Sequence, residues 1–156
     1  MTNKYIKIII SITVIAIALG LLLYQSLQEY NMESRDSKTL AQSINSVIIE
    51  IKGEPERSDA QVELIIRKCA HLLEYIFYTT VVFVVVLINV KRKWLGYLMV
   101  FVITIPIPFI DELIFQARTL GRSVSLLDIG IDLLGIAVAI IVGSLNLISN
   151  RILLKR

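Results

Sequence analysis

The chain has 156 residues, of which 56% are hydrophobic, and a formal net charge of +3. Soluble domains of this size are usually about 45–50% apolar, and the apolar residues here are collected in long blocks, so the composition excludes an ordinary soluble domain. The basic excess is no sign of a nucleic-acid partner, because it lies beside these blocks. The single cysteine, Cys69, excludes an intrachain disulfide.

Four apolar windows are long enough, or nearly long enough, to cross a bilayer, which takes about 20 residues of helix. They are Ile6–Tyr24, Ala70–Val90, Trp94–Ile110 and Leu126–Ile148. We therefore predict a single all-α polytopic membrane domain with four transmembrane helices and an outer amphipathic helix. Its parts are an N-terminal anchor (1–30), an extracytoplasmic amphipathic segment (31–68) and a three-span core (69–150).

Basic residues without acidic neighbours occur in alternate connections between the windows. These residues are Lys4, Lys7, Lys91, Arg92, Lys93, Arg151, Lys155 and Arg156. The connections 25–68 and 111–125 mix acidic and basic residues. By the positive-inside rule, both termini and the loop 91–93 are predicted to face the cytoplasm.

The first window also has features of a signal peptide. Basic residues precede the apolar run, and Ala16–Ile17–Ala18 has the small residues of a cleavage site. The apolar run continues through Leu23, which favours a retained membrane anchor.

The outer segment has the periodicity of an amphipathic helix. Its apolar residues at helical spacing are Leu40, Ile44, Val47, Ile48 and Ile51. Ser37 is the predicted N-cap, and Gly53 with Pro55 should end the helix. A further helix is predicted to begin near Asp59 and to run directly into the second span. We expect the amphipathic helix to cover the bundle rather than to hold a ligand.

Spans three and four carry two features of helix geometry. Pro106 and Pro108 remove backbone donors, so span three should bend or break just before Asp111. Gly135, Ala139 and Gly143 form a small-residue stripe on span four that permits close helix contact, either inside the bundle or in a homodimer.

The second span opens with polar residues. Lys68, His71 and Tyr75 are three and four residues apart and share one helix face, with Glu74 beside it. The other ionisable groups predicted at this depth are Asp111, Glu112, Arg122, Asp128 and Asp132. Any one of them could be an ordinary interfacial charge. Their convergence from three segments favours a polar, outward-facing site with the second span as one wall.

Asp132 lies about two turns inside span four. A charge within a span costs about 2.5–3.5 kcal/mol on insertion scales, so Asp132 needs a partner. Lys68, His71 and Arg122 are the candidates.

At these residues the sequence resembles the VanZ-like family of small bacterial membrane proteins. The two signatures are Lys68-x-x-His71-x-x-Glu74-Tyr75 and a second set formed by Asp111, Glu112, Gln116, Gly121, Arg122, Ser125, Asp128, Asp132 and Gly135. The resemblance covers residues 38–143. Gln116 lies one residue later than the family pattern places it, and Leu120 replaces a proline. The resemblance implies a cell-envelope protein associated with resistance to the glycopeptide teicoplanin, and it names no reaction.

Three functions remain open from the residues. In the first, Lys68 and Arg122 hold an anionic lipid-linked envelope component or glycolipid. The further ligand contacts would be Tyr75, Asp111, Glu112, Gln116 and Asp132. In the second, an enzyme for hydrolysis or phosphoryl transfer uses His71 as acid or base, with Glu74 or Asp128 holding it and Arg122 stabilising negative charge. In the third, the polar groups form a structural network in a partner-binding protein.

No metal site or cofactor is predicted from motif spacing, since no zinc pattern is present. If a metal assisted the enzyme reaction, the carboxylates among His71, Asp111, Asp128 and Asp132 would favour Mg²⁺ or Mn²⁺. The expected partners are membrane lipids and an anionic lipid-linked component, with a homodimer as a further possibility and no nucleic acid.

Overall fold

A computed structural model describes residues 2–53, 57–116 and 125–153. These ranges are helical, and no strand occurs within them. The helices are α1 (Thr2–Lys52), α2 (Asp59–Asn89), α3 (Lys93–Thr104), α4 (Pro106–Ile110), a π-helical segment (Asp111–Gln116) and α5 (Leu126–Leu153).

Four stretches of helix are long and apolar enough to cross a membrane: Lys4–Gln25, Asp59–Asn89, Lys93–Ile114 and Leu126–Leu147. Large apolar side chains such as Ile88, Val102 and Ile141 lie exposed on their outer surfaces, as contact with lipid requires. The predicted all-α, four-span membrane protein is therefore confirmed.

Helix α1 is continuous over 51 residues, which corrects one prediction. The outer segment is helical, but it extends span one without a break, so Ser37 lies inside the helix and is not its N-cap. The physical reason is that the chain from Leu21 to Lys52 contains neither glycine nor proline and is rich in helix-forming residues. Gly53, at φ +85°, ends the helix as predicted.

Helices α1 and α2 form an antiparallel hairpin. At one end Asn89 Nδ2 donates to Ser11 Oγ at 2.9 Å. At the other end Asn45 Nδ2 donates to Asp59 Oδ1 at 2.5 Å. Helix α2 begins at Asp59, as predicted, and its 31 residues span about 46 Å, so its first turns extend past a hydrocarbon core of about 30 Å.

Span three breaks where the prolines were expected to break it. Helix α3 ends at Thr104, α4 begins at Pro106, and the chain then widens into the π-helical segment. Neither Pro106 nor Pro108 can donate a backbone hydrogen bond, which explains the interruption. The wider turn brings Asp111 and Glu112 into the protein, where each is 1% exposed.

Helix α5 packs closely on α2 through its small-residue stripe. A Cβ at Gly135 would lie 2.8 Å from the backbone oxygen of Leu72, and one at Gly143 would lie 2.6 Å from Cε1 of Phe83. Neither helix could approach this closely with larger residues at these positions. The stripe therefore serves contact within the chain, and this contact sets the register that brings α5 carboxylates opposite the polar face of α2.

Candidate functional site

The polar face of α2 points into the bundle. His71 is 4% exposed and Tyr75 is fully buried. The same face continues one turn further with Tyr78 and Thr79, which are also buried. These side chains lie on one side because helix residues three and four apart are neighbours.

Helix α5 supplies two carboxylates to this face. Its first turn is capped by Ser125, whose backbone and side-chain oxygens accept from the Asp128 N–H at 3.1 and 3.3 Å. Asp128 forms an ion pair with Lys68 across the α2–α5 contact. A carboxylate in the first turn is also favoured by the helix dipole. The pair is partly exposed, with side-chain accessibilities of 27% for Lys68 and 18% for Asp128.

The π-helical segment closes the third side. Glu112 Oε1 accepts a hydrogen bond from the Ser125 N–H at 2.5 Å, so the end of span three is tied to the start of span four. The segment also packs against α1. Asp111 lies near enough to Asp132 and Tyr75 to interact with both electrostatically.

Asp132 occupies the centre of this arrangement. It is 1% exposed, and within the described ranges neither of its carboxylate oxygens has a hydrogen-bond partner. Its electrostatic neighbours are His71, Asp111, Asp128 and Glu112. Three partners were predicted for Asp132. Lys68 pairs with Asp128 instead, and His71 lies within electrostatic range of Asp132. Arg122 lies outside the described residues.

We name the buried set the polar cluster, and it consists of His71, Tyr75, Asp111, Glu112 and Asp132. Each member is at most 4% exposed, so the cluster is buried. The inward turn of the π-helical segment and its packing against α1 contribute to this burial.

Two hydroxyl groups that were not predicted from the sequence, those of Tyr78 and Thr79, lie next to the cluster on the same face of α2. The side-chain oxygens of Tyr75, Tyr78 and Thr79 are buried and have no hydrogen-bond partner among the described residues. Tyr78 and Thr79 could have been found by extending the spacing of His71 and Tyr75 by one turn. Thr104 is also buried, but its hydroxyl donates to the Val100 carbonyl of its own helix at 2.8 Å.

Glu74 lies beside the cluster and borders a groove between α1 and α2. The groove has a volume of about 500 Å³. Its walls are mainly apolar and include Leu22, Leu73 and Phe77, and Tyr78 lies at its edge. Tyr78 therefore belongs both to the groove and to the face of α2 that carries His71 and Tyr75.

Two predicted site residues cannot be placed in this arrangement. Arg122 lies outside the described ranges. Gln116 ends the π-helical segment, and the position of its side chain is outside the description. Among the residues that are described, no three His, Cys, Asp or Glu side chains are grouped so that they could hold a metal ion.

The arrangement supplies hydrogen-bond acceptors in a site shielded from water. Burying a carboxylate is costly unless it is paired or hydrogen-bonded, so the oxygens of Asp132 favour a donor. The tyrosine hydroxyls can both donate and accept. His71, beside the carboxylates, can carry a proton in either direction. The site can therefore bind a group rich in hydroxyl or amino donors, and it has the components of acid–base chemistry.

Comparison of the chain with protein-family models, with curated proteins and with solved structures gives no match in any of the three.

Proposed function

We propose that this is a VanZ-like protein of the bacterial plasma membrane that binds the polar headgroup of a lipid-linked envelope component in the outer leaflet. Through that binding it contributes to teicoplanin resistance. The observation that carries the proposal is the buried Asp132, whose two oxygens lack partners within the described residues although ionisable groups from α2 and the π-helical segment surround it. The sequence resemblance supplies the envelope setting.

The balance of charges in the cluster indicates the headgroup chemistry. Asp111, Glu112 and Asp132 outnumber His71, and Lys68 is already paired with Asp128. Carboxylates accept hydrogen bonds from hydroxyl and amino groups, and they repel anions. A glycolipid headgroup with sugar hydroxyls or an amino group therefore fits the cluster better than a bare phosphate does. A phosphate in the same lipid would be left to Lys68 or Arg122.

The groove between α1 and α2 suits the lipid chain of such a ligand. Its apolar walls can cover hydrocarbon, and Tyr78, which lines it, lies about one helical turn from Tyr75 of the polar cluster. The groove lies on the α1 side of α2. By the distribution of basic loops, this end of the bundle is the extracytoplasmic one.

An enzyme is the second candidate, and the position of His71 favours it. His71 lies in electrostatic range of both Asp128 and Asp132 on α5. A histidine beside carboxylates is a common general acid or base, and hydrolysis or phosphoryl transfer on the bound lipid would follow. Turnover distinguishes the two functions, because a binding protein leaves the lipid unchanged whereas an enzyme alters it.

The test is teicoplanin susceptibility of a sensitive Gram-positive host. The strains carry empty vector, wild type, Asp132→Asn, or Glu50→Gln as the matched control, since Glu50 is an exposed carboxylate on α1. Membrane protein levels are compared by immunoblot. The proposal predicts protection by wild type and Glu50→Gln, and none by an equally abundant Asp132→Asn. A wild type that gives no protection would remove the resistance role.

A further inference from the structure

A second groove lies at the opposite end of the bundle from the polar cluster. It has a volume of about 280 Å³ and runs between α2 and α5. Phe83, Val84, Leu87 and Val142 form its apolar walls. It does not include any residue of the polar cluster, and the function proposed above makes no use of it.

The groove extends along the axes of α2 and α5. On α2 its lining runs from Thr80 to Ile88, and on α5 from Ala139 to Leu147. Eight residues of helix rise about 12 Å, compared with roughly 15 Å for half of the hydrocarbon core. An acyl chain of the surrounding leaflet matches both this length and the apolar walls.

The mouth of the groove is polar and basic. Lys93 and Asn146 are the polar residues of its lining at this end, and no Asp or Glu lines it. Lys91 and Arg92 precede Lys93 directly in the chain. Lys93 is also the first residue of α3, whose N-cap, Arg92, makes no side-chain capping bond in the described structure. The first amides of a helix are unsatisfied donors that favour an anion.

We propose that this groove binds an anionic phospholipid of the leaflet on the Lys91–Lys93 side. One acyl chain lies between α2 and α5, the phosphate contacts Lys93 and the first turn of α3, and Asn146 donates to the headgroup. Charge complementarity selects the lipid, since basic pockets between transmembrane helices favour anionic headgroups. The bound lipid stabilises the packing of α2 against α5 at the end of the bundle where Gly143 contacts Phe83.

The intrinsic fluorescence of tryptophan provides a probe of lipid binding at this groove. Trp94 is the single tryptophan of the chain, it follows Lys93, and it is 65% exposed. The purified protein is reconstituted into vesicles of brominated phosphatidylcholine, which quenches tryptophan fluorescence, mixed with increasing amounts of non-brominated phosphatidylglycerol. Recovery of Trp94 fluorescence then measures how strongly phosphatidylglycerol is preferred over phosphatidylcholine beside Lys93.

Three variants separate the groove from the general charge of the surface. Lys93→Gln removes the basic group of the lining, and Lys91→Gln is the matched control from the same loop. Val142 lines the groove and its side chain is exposed. The larger side chain in Val142→Phe should therefore narrow the groove without changing its charge.

For the wild type we expect about a five-fold preference for phosphatidylglycerol, the effect of one basic side chain near an anionic headgroup. Lys93→Gln and Val142→Phe should each bring the preference close to one, and Lys91→Gln should keep it near the wild-type value. Equal losses in the two lysine variants would mean attraction by the loop charge alone and would overturn the proposal. No preference in the wild type, or an unchanged preference in Val142→Phe, would overturn it as well.

Discussion

At the residue scale, Asp132 is the side chain that best separates two interpretations of the polar cluster, a ligand-binding site and a purely structural network. A carboxylate in a structural network contributes to stability through its hydrogen bonds, and removing them leaves buried partners unsatisfied. Asp132 makes no such bond to the described residues, although it is almost fully buried. The ligand proposed above would supply a hydrogen-bond donor to this carboxylate.

The first prediction concerns the stability of Asp132→Asn. Because this change keeps the shape and replaces a buried carboxyl group that lacks a hydrogen-bond partner in the described structure, we expect the free energy of unfolding to stay within about 1 kcal/mol of wild type or to rise. Thermal unfolding of the purified protein in detergent measures it. A loss of several kcal/mol would instead indicate a structural network centred on this carboxylate.

The residues of the polar cluster could be selected from the sequence, but their pairings could not. Lys68, His71 and Tyr75 were predictable as a set because they share a face of one helix. That Lys68 pairs with Asp128, and not with Asp132, depends on the register of α2 against α5, which close packing at Gly135 and Gly143 determines. Local spacing contains no information on that register.

At the element scale, the contact of α5 with α2 positions the carboxylates. Gly135 lies opposite backbone atoms of α2, which cannot move aside as a flexible side chain can. Gly130 is on the same helix, and a Cβ there would meet nothing within 4 Å. These two glycines form a matched pair.

The second prediction uses this pair. Gly135→Ala should lower unfolding stability by about 1–3 kcal/mol, because overpacking forces the helices apart. Gly130→Ala should be neutral or stabilising by up to about 1 kcal/mol, since alanine favours the helix. Thermal unfolding in detergent compares the two. Equal effects of the two substitutions would contradict the packing described for α5.

The third prediction tests the continuity of α1. Spin labels at the exposed positions Leu21 and Val47, 26 residues apart, should give a single distance near 39 Å, from the helix rise of 1.5 Å per residue. Pulsed electron–electron double resonance measures that distance in reconstituted protein. A helix that ended before Ser37 and turned onto the membrane surface would give a clearly shorter, broader distribution.

The elements themselves were largely predictable, and the exception has a physical cause. Apolar length located the spans, and Pro106 and Pro108 located the break in span three. Continuity through Ser37 was missed because serine favours the N-cap position and the preceding residues are polar. Only the lack of any glycine or proline between Leu21 and Lys52 indicated an unbroken helix.

At the scale of the whole molecule, four spans place the two grooves at opposite ends of the bundle. The groove beside Glu74 and Tyr78 lies near the polar cluster, and the groove at Lys93 lies near the basic loop. If the basic loop is cytoplasmic, as the positive-inside rule predicts, the polar cluster lies on the outer-leaflet side of the membrane.

The fourth prediction addresses this orientation. In a Cys69→Ser background, which removes the native exposed thiol, single cysteines are introduced as Ser58→Cys and Lys91→Cys. Both positions are exposed in the structure. A membrane-impermeant maleimide applied to intact cells should label the first variant and not the second until the cells are opened. The reverse pattern would place the polar cluster on the cytoplasmic side.

The central claim is that the polar cluster binds a lipid-linked headgroup, and the most direct measurement is of the lipids that remain bound on purification. Wild type, Asp132→Asn and the Glu50→Gln control are isolated from the same host, and their lipids are compared by mass spectrometry. We predict that a lipid with a glycan or amino headgroup is enriched with wild type and Glu50→Gln and depleted at least several-fold with Asp132→Asn. Identical lipids on all three proteins would contradict the claim.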